Sequence, residues 1–404
     1  MKIRSITAFV EPGWPLDSGR LDAVAAAVAD ARTAYAQAGY EVQTTRLATT
    51  PFPDWLPELT EAAAVDAAQR LEAAALERDF GYVSLGPARL STPASYAIIL
   101  AMLAATQAAF FSAELATREA GITTAALHAA AGVMQQAATL EDNGFANLRF
   151  AALANVPAGS PFFPAAYHGG GGPAFAIAPQ AADLAVDAFA GAETVDQGAA
   201  SLAKLIEEHG KQLADLGTQI AAKHQMLFGG IDFSLAPFPS EAESLGTAFE
   251  RMGLAAVGRQ GSLAAAAALT SAVDAADFPR AGFNGLLLPP LEDYTLAKRA
   301  AEGRLTVNDL LMYSAVCGTG LDTVPLPGDV SVAAMAALLL DVSALALRLN
   351  KPLTARLMPI PGKQAGDETS FEFDFFANTR VMALDADALN GALGAEQTIK
   401  LRSR

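Results

Sequence analysis

Short apolar runs alternate with alanine-rich segments of helical periodicity along most of this chain of 404 residues. The pattern predicts strands over 3–11 and 41–47 and helices over 21–38 and 60–78. The same alternation of strands and helices continues along the rest of the chain. Strands that alternate with helices pair in parallel and carry the helices on the outside. About eight to ten strands without a low-complexity linker predict a single α/β domain over residues 1–404, either a barrel or a doubly wound sheet.

Four segments give more local predictions. The alanine- and leucine-rich segment 91–120 predicts a helix, 386–393 predicts a terminal helix, and 285–290 predicts a short buried strand. The segment 313–329 combines glycines and prolines between two apolar helices. Such a segment is typical of a shaped loop on a rigid scaffold, where chemistry tends to be located, so we expect the site there.

Net charge and cysteine content indicate which binding partners and which cellular compartment to expect. The net charge of −16 is repelled by phosphate backbones and anionic lipids, so we expect neither a nucleic-acid partner nor a membrane partner. A single cysteine forms no internal disulfide, which fits a reducing compartment. The first residues predict a strand rather than a signal peptide, so we expect a cytoplasmic protein. The alanine-rich helices predict contacts between copies of the chain, in a homo-oligomer.

Two loops contain the candidate catalytic residues. Cys317 precedes Gly318 and Gly320, whose backbone amides would lower the thiol pKa and make it a nucleophile or general acid. The alternative is that Cys317 is a small buried hydrophobe. His168 precedes four glycines in a loop that could close over a ligand, which suits an acid–base group. The candidate ligand contacts in the same two loops are Tyr167 and Thr319.

Carboxylates and cations supply further candidates. Asp322, Asp329 and Asp367 lie in or beside turn-rich segments and are predicted to bind Mg²⁺ or Ca²⁺. The alternatives are that Asp329 caps the following helix and that 362–369 is a solvated turn. Arg356 and Lys363 are predicted to pair an anionic group of the substrate. Asp232 interrupts an apolar strand, which is costly unless it is paired, so we expect it to face a polar interior.

Several well-known motifs are missing from the sequence. There is no glycine fingerprint for dinucleotides, no HExxH helix, no CxxC pair and no G-x-S-x-G elbow. We therefore expect no nucleotide cofactor. The favoured function is a lyase or hydrolase acting on a small polar or carboxylate-bearing metabolite. The alternative is a non-catalytic regulatory protein that binds a metabolite or a metal.

Five stretches together resemble the domain of unknown function 711 family, also called uncharacterised protein family 0210. They are Asn147-Leu-Arg149, Ser160-Pro-Phe-Phe-Pro-Ala-Ala-Tyr-His168, Gly230-Ile-Asp-Phe-Ser234, the segment 313–329, and Leu349-Asn-Lys-Pro-Leu-Thr-Ala-Arg356. The resemblance implies a pyruvate formate-lyase-like fold, a ten-stranded α/β barrel of two parallel halves around a central loop, with helices outside. Cys317 would take the place of the cysteine in that loop.

The C-terminal part departs from the glycyl-radical enzymes that share this architecture. Those enzymes carry an Arg-Val-x-Gly-aromatic motif, whereas this chain reads Arg380-Val-Met-Ala383, without the glycine. We therefore expect an enzyme that works without a glycyl radical. A shared fold gives only an analogy for function.

Overall fold

The computed structural model describes residues 1–403. Its strands are β1 Lys2–Val10, β2 Val42–Thr49, β3 Tyr82–Ala88, β4 Ala109–Thr117, β5 Gly121–Thr123, β6 Phe150–Ala154, β7 Ala174–Gln180, β8 Leu227–Ile231, β9 Gly320–Pro327, β10 Leu353–Ile360 and β11 Thr398–Ile399. Its α-helices are α1 Ser18–Gln37, α2 Glu61–Leu76, α3 Ile99–Ala105, α4 Thr124–Ala137, α5 Ala182–Phe189, α6 Val195–Lys223, α7 Leu245–Arg251, α8 Ser262–Ala275, α9 Tyr294–Ala301, α10 Val307–Tyr313, α11 Val332–Leu349 and α12 Gly391–Gly394. Short 3-10 helices occupy Phe52–Asp54, Pro93–Ile98, Asp142–Arg149 and Glu241–Glu243.

The strands form one mixed sheet in the order β8-β7-β1-β2-β3-β4-β6-β10-β9, with β5 and β11 attached beside β4. Strands β1, β2, β3, β4 and β6 run parallel to one another. Strands β7 and β8 on one side, and β10 and β9 on the other, run in the opposite direction. The predicted α/β class, with parallel pairing and packed helices, is therefore confirmed.

Side chains alternate between the two faces of the sheet, as the strand pleat requires. On β1, Ile6 and Ala8 belong to the main apolar core, which also contains the helices. Phe9 belongs to a separate small cluster with Phe110 and Phe163. We call the face that carries this second cluster the inner face. It holds the candidate site described below.

The sheet is not closed into a barrel. Within residues 1–403 no ladder joins β8 to β9, although an extended segment lies between them. Leu287 N donates to Ser234 O at 2.9 Å, and the Thr319 hydroxyl donates to Leu286 O at 2.5 Å. Because the second contact uses a side chain, no regular ladder forms there. The predicted strand over 285–290 is therefore wrong, and a ten-stranded barrel is not confirmed.

The predicted helix over 91–120 is also wrong. The segment forms a 3-10 turn, the short helix α3 and then the buried strand β4. Strand β4 pairs with β3 on one side and β6 on the other. Pairing on both edges outweighs the helix propensity of its alanines and leucine, because propensity is a weak preference beside tertiary context.

The predicted loop over 313–329 contains a strand. Helix α10 ends at Tyr313, and β9 begins at Gly320 and runs parallel to β10. Pro325 and Pro327 are tolerated within β9 because it is the last strand of the sheet order, where a missing N–H breaks no second ladder. Ser331, rather than Asp329, caps the following helix by accepting a hydrogen bond from Ala334 N.

The last part of the chain is less regular than predicted. The helix expected over 386–393 is reduced to the four residues of α12, in an exposed region. Helix α11 has the length and apolar composition of a membrane span, but more than half of it is buried inside the protein. It packs against α4 and β10, as a buried core helix does.

Candidate functional site

The inner face carries a cavity that combines charged and aromatic side chains. Its volume is about 850 Å³, including solvent at its mouth. We call it the interior cavity. Its polar lining consists of Arg4, Ser5, Gln43, Thr44, Arg46, Asp232, Ser234, Glu292 and Arg356. Its aromatic lining consists of Tyr82, Phe110, Phe162, Phe163, Phe373 and Phe375.

An irregularity in β1 brings two successive residues to this cavity. The register of β1 against β7 shifts between Ile3 and Ser5. A bulge of this kind interrupts the alternation of side chains. As a result, both Arg4 and Ser5 line the interior cavity.

A buried ion-pair network forms one wall of the cavity. Arg356 donates to both carboxylate oxygens of Asp322, at 2.6 Å from Nε and 2.9 Å from Nη2. It also donates to Glu292 Oε1 at 2.9 Å, while Arg4 pairs with the other oxygen of Glu292. Burial raises the pKa of Glu292, but the charges of Arg4 and Arg356 outweigh burial and hold that pKa below its usual range. The charges of Arg4 and Arg356 are thus balanced by two carboxylates.

Arg46 has no such partner. Its Nε donates to Thr44 Oγ1 at 2.9 Å, and its guanidinium lies 5.2 Å from the centre of the Phe163 ring and 5.8 Å from that of Tyr82. Within residues 1–403 it forms no salt bridge, and its two Nη nitrogens donate to no protein atom. Burial and the nearby Arg4 charge both lower the pKa of Arg46, although a guanidinium stays protonated at neutral pH. Arg46 is therefore the arginine of the cavity whose guanidinium is paired with no carboxylate.

Asp232 lies at the edge of the same cavity, as its position in an apolar strand predicted. Its carboxylate accepts hydrogen bonds from the Ser234 hydroxyl and from the backbone nitrogens of Phe283 and Asn284, both at 3.0 Å. Burial nevertheless raises the pKa of Asp232. The residue therefore ties the chain after β8 to the segment beginning at Phe283, and it places a carboxyl group of raised pKa beside the ligand space.

Two of the aromatic residues come from a segment that follows β10. Phe373 and Phe375 line the interior cavity, while Phe371 and Phe376 pack with Phe145 in a separate apolar cluster. The Phe145 and Phe373 rings are 5.2 Å apart in an edge-to-face arrangement. This segment therefore covers one side of the cavity with aromatic surface.

His168 lies in a different cavity, beyond the carboxyl ends of β1 and β2. That cavity is also lined by Glu11, Arg20, Asp54, Trp55, Arg89 and two glycines of the following loop. His168 N donates to Thr49 O at 2.9 Å, and its Nε2 is buried without a partner among residues 1–403. Burial lowers the pKa of His168, and the Gly171 backbone and Glu11 oppose that change. The structure therefore does not bring His168 to the interior cavity.

Cys317 is fully buried in the main apolar core and lines neither of these cavities. Burial raises the pKa of its thiol, against the smaller effect of the Lys351 charge. Lys351 Nζ donates to the backbone oxygens of Ser314 and Ala315, and so caps the end of α10. These surroundings favour the alternative role of Cys317 as a small buried hydrophobe.

The predicted substrate contacts fall in different places. Arg356 lines the interior cavity, whereas Tyr167 donates its hydroxyl to Val156 O at 2.9 Å and Thr319 is bonded to Leu286. Lys363 donates to Glu368 O within its own turn, at 2.6 Å. Of these four residues, only Arg356 lines the charged interior cavity.

The three predicted metal ligands are not clustered. Both carboxylate oxygens of Asp322 are bonded to Arg356 inside the protein. Asp329 and Asp367 are exposed, and both accept hydrogen bonds from Gln364. No group of three His, Cys, Asp or Glu side chains in residues 1–403 could hold a metal ion. The placement of these residues therefore gives no support to a cation site.

The sequence analysis missed Arg4 and Arg46. Both are charged residues within strands, Arg4 in β1 and Arg46 in β2. Both side chains are half-buried, so the cost of burying a charge, which drew attention to Asp232, applies to them in part. Their positions within strands were the signal that could have identified them.

The fold and the cavity define a mixed α/β protein with a charged, aromatic-lined interior site. A family model described as Uncharacterised ACR (DUF711) matches residues 1–377. The chain belongs to this family.

Its relatives are named UPF0210 proteins. The chain is 38% identical over 232 residues to one from Pyrobaculum arsenaticum, and the match covers 54% of the chain and 51% of the relative. It is 35% identical over 283 residues to one from Syntrophobacter fumaroxidans, covering 67% and 62%. It is 33% identical over 353 residues to one from Pyrobaculum islandicum, covering 81% and 76%. The match thus spans only about half the length of the P. arsenaticum relative.

Proposed function

We propose that this protein is an enzyme of the lyase or hydrolase type that acts on a small carboxylate-bearing metabolite in the interior cavity. The observation that carries the proposal is Arg46. It is a half-buried guanidinium whose Nη nitrogens have no partner among residues 1–403, in a cavity where the other two arginines are already paired. Guanidinium groups bind carboxylates through two parallel hydrogen bonds.

The lining of the cavity supports the same proposal. Asp232 directly follows β8, while Arg4, Gln43 and Tyr82 lie in the amino-terminal halves of β1, β2 and β3. Concave sites with apolar walls and a few convergent polar groups are the usual binding sites for small molecules. Asp232 has a raised pKa and would transfer a proton to or from the ligand.

A thermal-shift screen tests the proposal. Wild-type protein, Arg46→Gln and Arg32→Gln are heated with a panel of small carboxylates. Arg32 is an exposed arginine, so its variant controls for loss of one positive charge. A carboxylate at about 100 times its Kd adds about 2.7 kcal/mol of stability. We expect that shift in wild type and Arg32→Gln and not in Arg46→Gln. An equal shift in all three proteins would contradict a site at Arg46.

The alternative is a non-catalytic protein that binds the same metabolite. It is favoured by the hydrogen bonds that Asp232 already accepts from Phe283 and Asn284, which suit an anchoring role. Each binding compound is incubated with wild type and with Asp232→Asn, and its conversion is followed by proton NMR. Conversion that is lost in Asp232→Asn while binding persists supports the enzyme. Binding without conversion supports the alternative.

We also infer that the sheet approaches the ten-stranded barrel that the family resemblance implies. Support comes from the extended segment between β8 and β9, which contacts Ser234 on one side and Thr319 on the other. A cytoplasmic location and a homo-oligomeric state are further parts of the proposal. They rest on the single thiol and the alanine-rich helices, respectively. A divalent cation, if one takes part, would need ligands other than Asp322, since Arg356 occupies both of its oxygens.

A further inference from the structure

Two polar atoms at the interior cavity have no hydrogen-bond partner among residues 1–403. They are Ser5 Oγ and Gln43 Oε1. Ser5 is 0% exposed, and both residues line the cavity. Buried polar atoms in proteins are nearly always bonded, so two unpartnered atoms beside one cavity point to a ligand group that bonds them.

The hydrogen bonds among Glu243, Gln180 and Gln43 determine which atom of the Gln43 amide is free to bind a ligand. The Glu243 carboxylate is an acceptor only, so the group facing it at 2.8 Å is the Gln180 amide nitrogen. The Gln180 oxygen then accepts from the Gln43 nitrogen at 2.7 Å. This order leaves the Gln43 oxygen as the free atom. The ligand group beside it must therefore be a hydrogen-bond donor.

The surrounding charges favour a neutral donor. Arg4 directly precedes Ser5 in β1 and also lines the cavity, as does Arg46. The carboxylate of Glu292 is already shared by Arg4 and Arg356. An ammonium group would be repelled by the nearby guanidinium groups, whereas a hydroxyl group would not.

The spacing suits a small molecule. Ser5 pairs with Thr44 across the β1–β2 ladder, and Arg46 follows Thr44 by two residues on the same face of β2. Two residues of a strand span about 7 Å. The Arg46 side chain turns back towards Thr44, because its Nε donates to Thr44 Oγ1 at 2.9 Å, so its guanidinium lies closer to Ser5 than the strand spacing alone would place it. A carboxylate on Arg46 and a hydroxyl beside Ser5 therefore fit one compact carbon skeleton.

We propose that the ligand class of the interior cavity is the small hydroxycarboxylates. The carboxylate binds Arg46, and the hydroxyl donates to Gln43 Oε1 and bonds the Ser5 hydroxyl. This inference rests on the proposed function, because it concerns the same cavity and the same arginine, and it narrows the substrate class.

Matched acid pairs test the inference by isothermal titration calorimetry. The pairs are lactate and propionate, malate and succinate, and mandelate and phenylacetate. In wild type we expect the hydroxylated member of the pair that binds to have at least about tenfold higher affinity. In Ser5→Ala and in Gln43→Met that ratio falls towards one. Ser112→Ala is the matched control, because Ser112 also has a buried hydroxyl without a partner but does not line the cavity. Circular dichroism and thermal unfolding establish that each variant is folded.

The outcomes separate this inference from the proposed function. Equal affinity within every pair, with binding lost in Arg46→Gln, would overturn the hydroxycarboxylate class and leave the function standing. An undiminished ratio in both Ser5→Ala and Gln43→Met would overturn the assignment of the hydroxyl. Binding that survives in Arg46→Gln would overturn the proposed function instead. Absence of binding by all six acids would overturn both.

Discussion

The Arg46 guanidinium lies 5.2 Å from the centre of the Phe163 ring on the inner face of the sheet, and no carboxylate forms an ion pair with it among residues 1–403. Aromatic faces attract cations, but Arg46 is half-buried, and withdrawing an unpaired charge from water even in part is costly. An anionic ligand would supply the missing counter-charge. Arg46 is therefore the residue on which the functional account depends.

The network around Arg356 is predicted to be structural. Arg356→Met would leave the buried Asp322 carboxylate without its partner, which we expect to cost about 3–5 kcal/mol in the free energy of unfolding. Replacing both residues, as Arg356→Met with Asp322→Leu, should recover part of that loss. Urea denaturation measures both variants.

Arg70→Gln is the control for that experiment. Arg70 pairs with Asp66 on an exposed helix surface, where solvent screens the pair, so the free energy of unfolding should barely change. A loss as small for Arg356→Met as for Arg70→Gln would contradict the structural role of the buried network.

Cys317 is predicted to be unreactive in the folded protein. Burial both raises its thiol pKa and blocks access of reagents. The native protein at pH 8 should therefore react with a disulfide reagent such as dithionitrobenzoate at least about 100-fold more slowly than the unfolded chain. Absorbance of the released thiolate measures both rates. Rapid stoichiometric labelling of the native protein would instead favour a nucleophilic thiolate, as the sequence analysis expected.

His168 is predicted to make stability depend on pH. Burial lowers its pKa in the folded state, so below about pH 6.5 the unfolded chain binds more protons at this position. The stabilising contribution is complete above the unfolded pKa and is lost as the pH falls through the folded pKa. We expect wild type to lose more stability than His168→Gln between pH 7.5 and 5, by at most about 1.4 kcal/mol per pH unit.

The exposed His128 provides the comparison for that pH series. His128→Gln removes an exposed imidazole and keeps His168 and His209, so it controls for the loss of a histidine as such. Parallel pH profiles for wild type and His168→Gln would contradict a buried, neutral His168.

The sequence predicted the class of the fold because hydrophobic periodicity reports local structure directly. Strand β1 and helix α2 lie within two residues of where their apolar patterns placed them. Strand β4 was missed because its alanines and leucine fit a helix equally well, and only its pairing with β3 and β6 decides the matter. The strand β9 was missed because its prolines indicate a turn unless the strand is known to lie at an edge.

The candidate site was less predictable than the fold. Asp232 was identified as a charged residue in an apolar run, and Arg356 as a partner for an anionic group, and both line the cavity. The cavity itself depends on a bulge at β1 and on Phe373 and Phe375 from a distant segment, and neither follows from local periodicity. The lack of an ion-pair partner for Arg46 likewise depends on the whole fold, because a carboxylate from any neighbouring segment would have paired with it.

Calorimetric titration of a small carboxylate into wild type and Arg46→Met tests the central claim most directly. The titration uses the carboxylate that gives the largest thermal shift, at low and at high salt. The account predicts micromolar or tighter binding to wild type, a loss of at least about 100-fold in Arg46→Met, and little loss in the surface variant Arg32→Gln, because a charge-assisted bidentate pair contributes about 3 kcal/mol. Equal affinity of wild type and Arg46→Met would contradict the account.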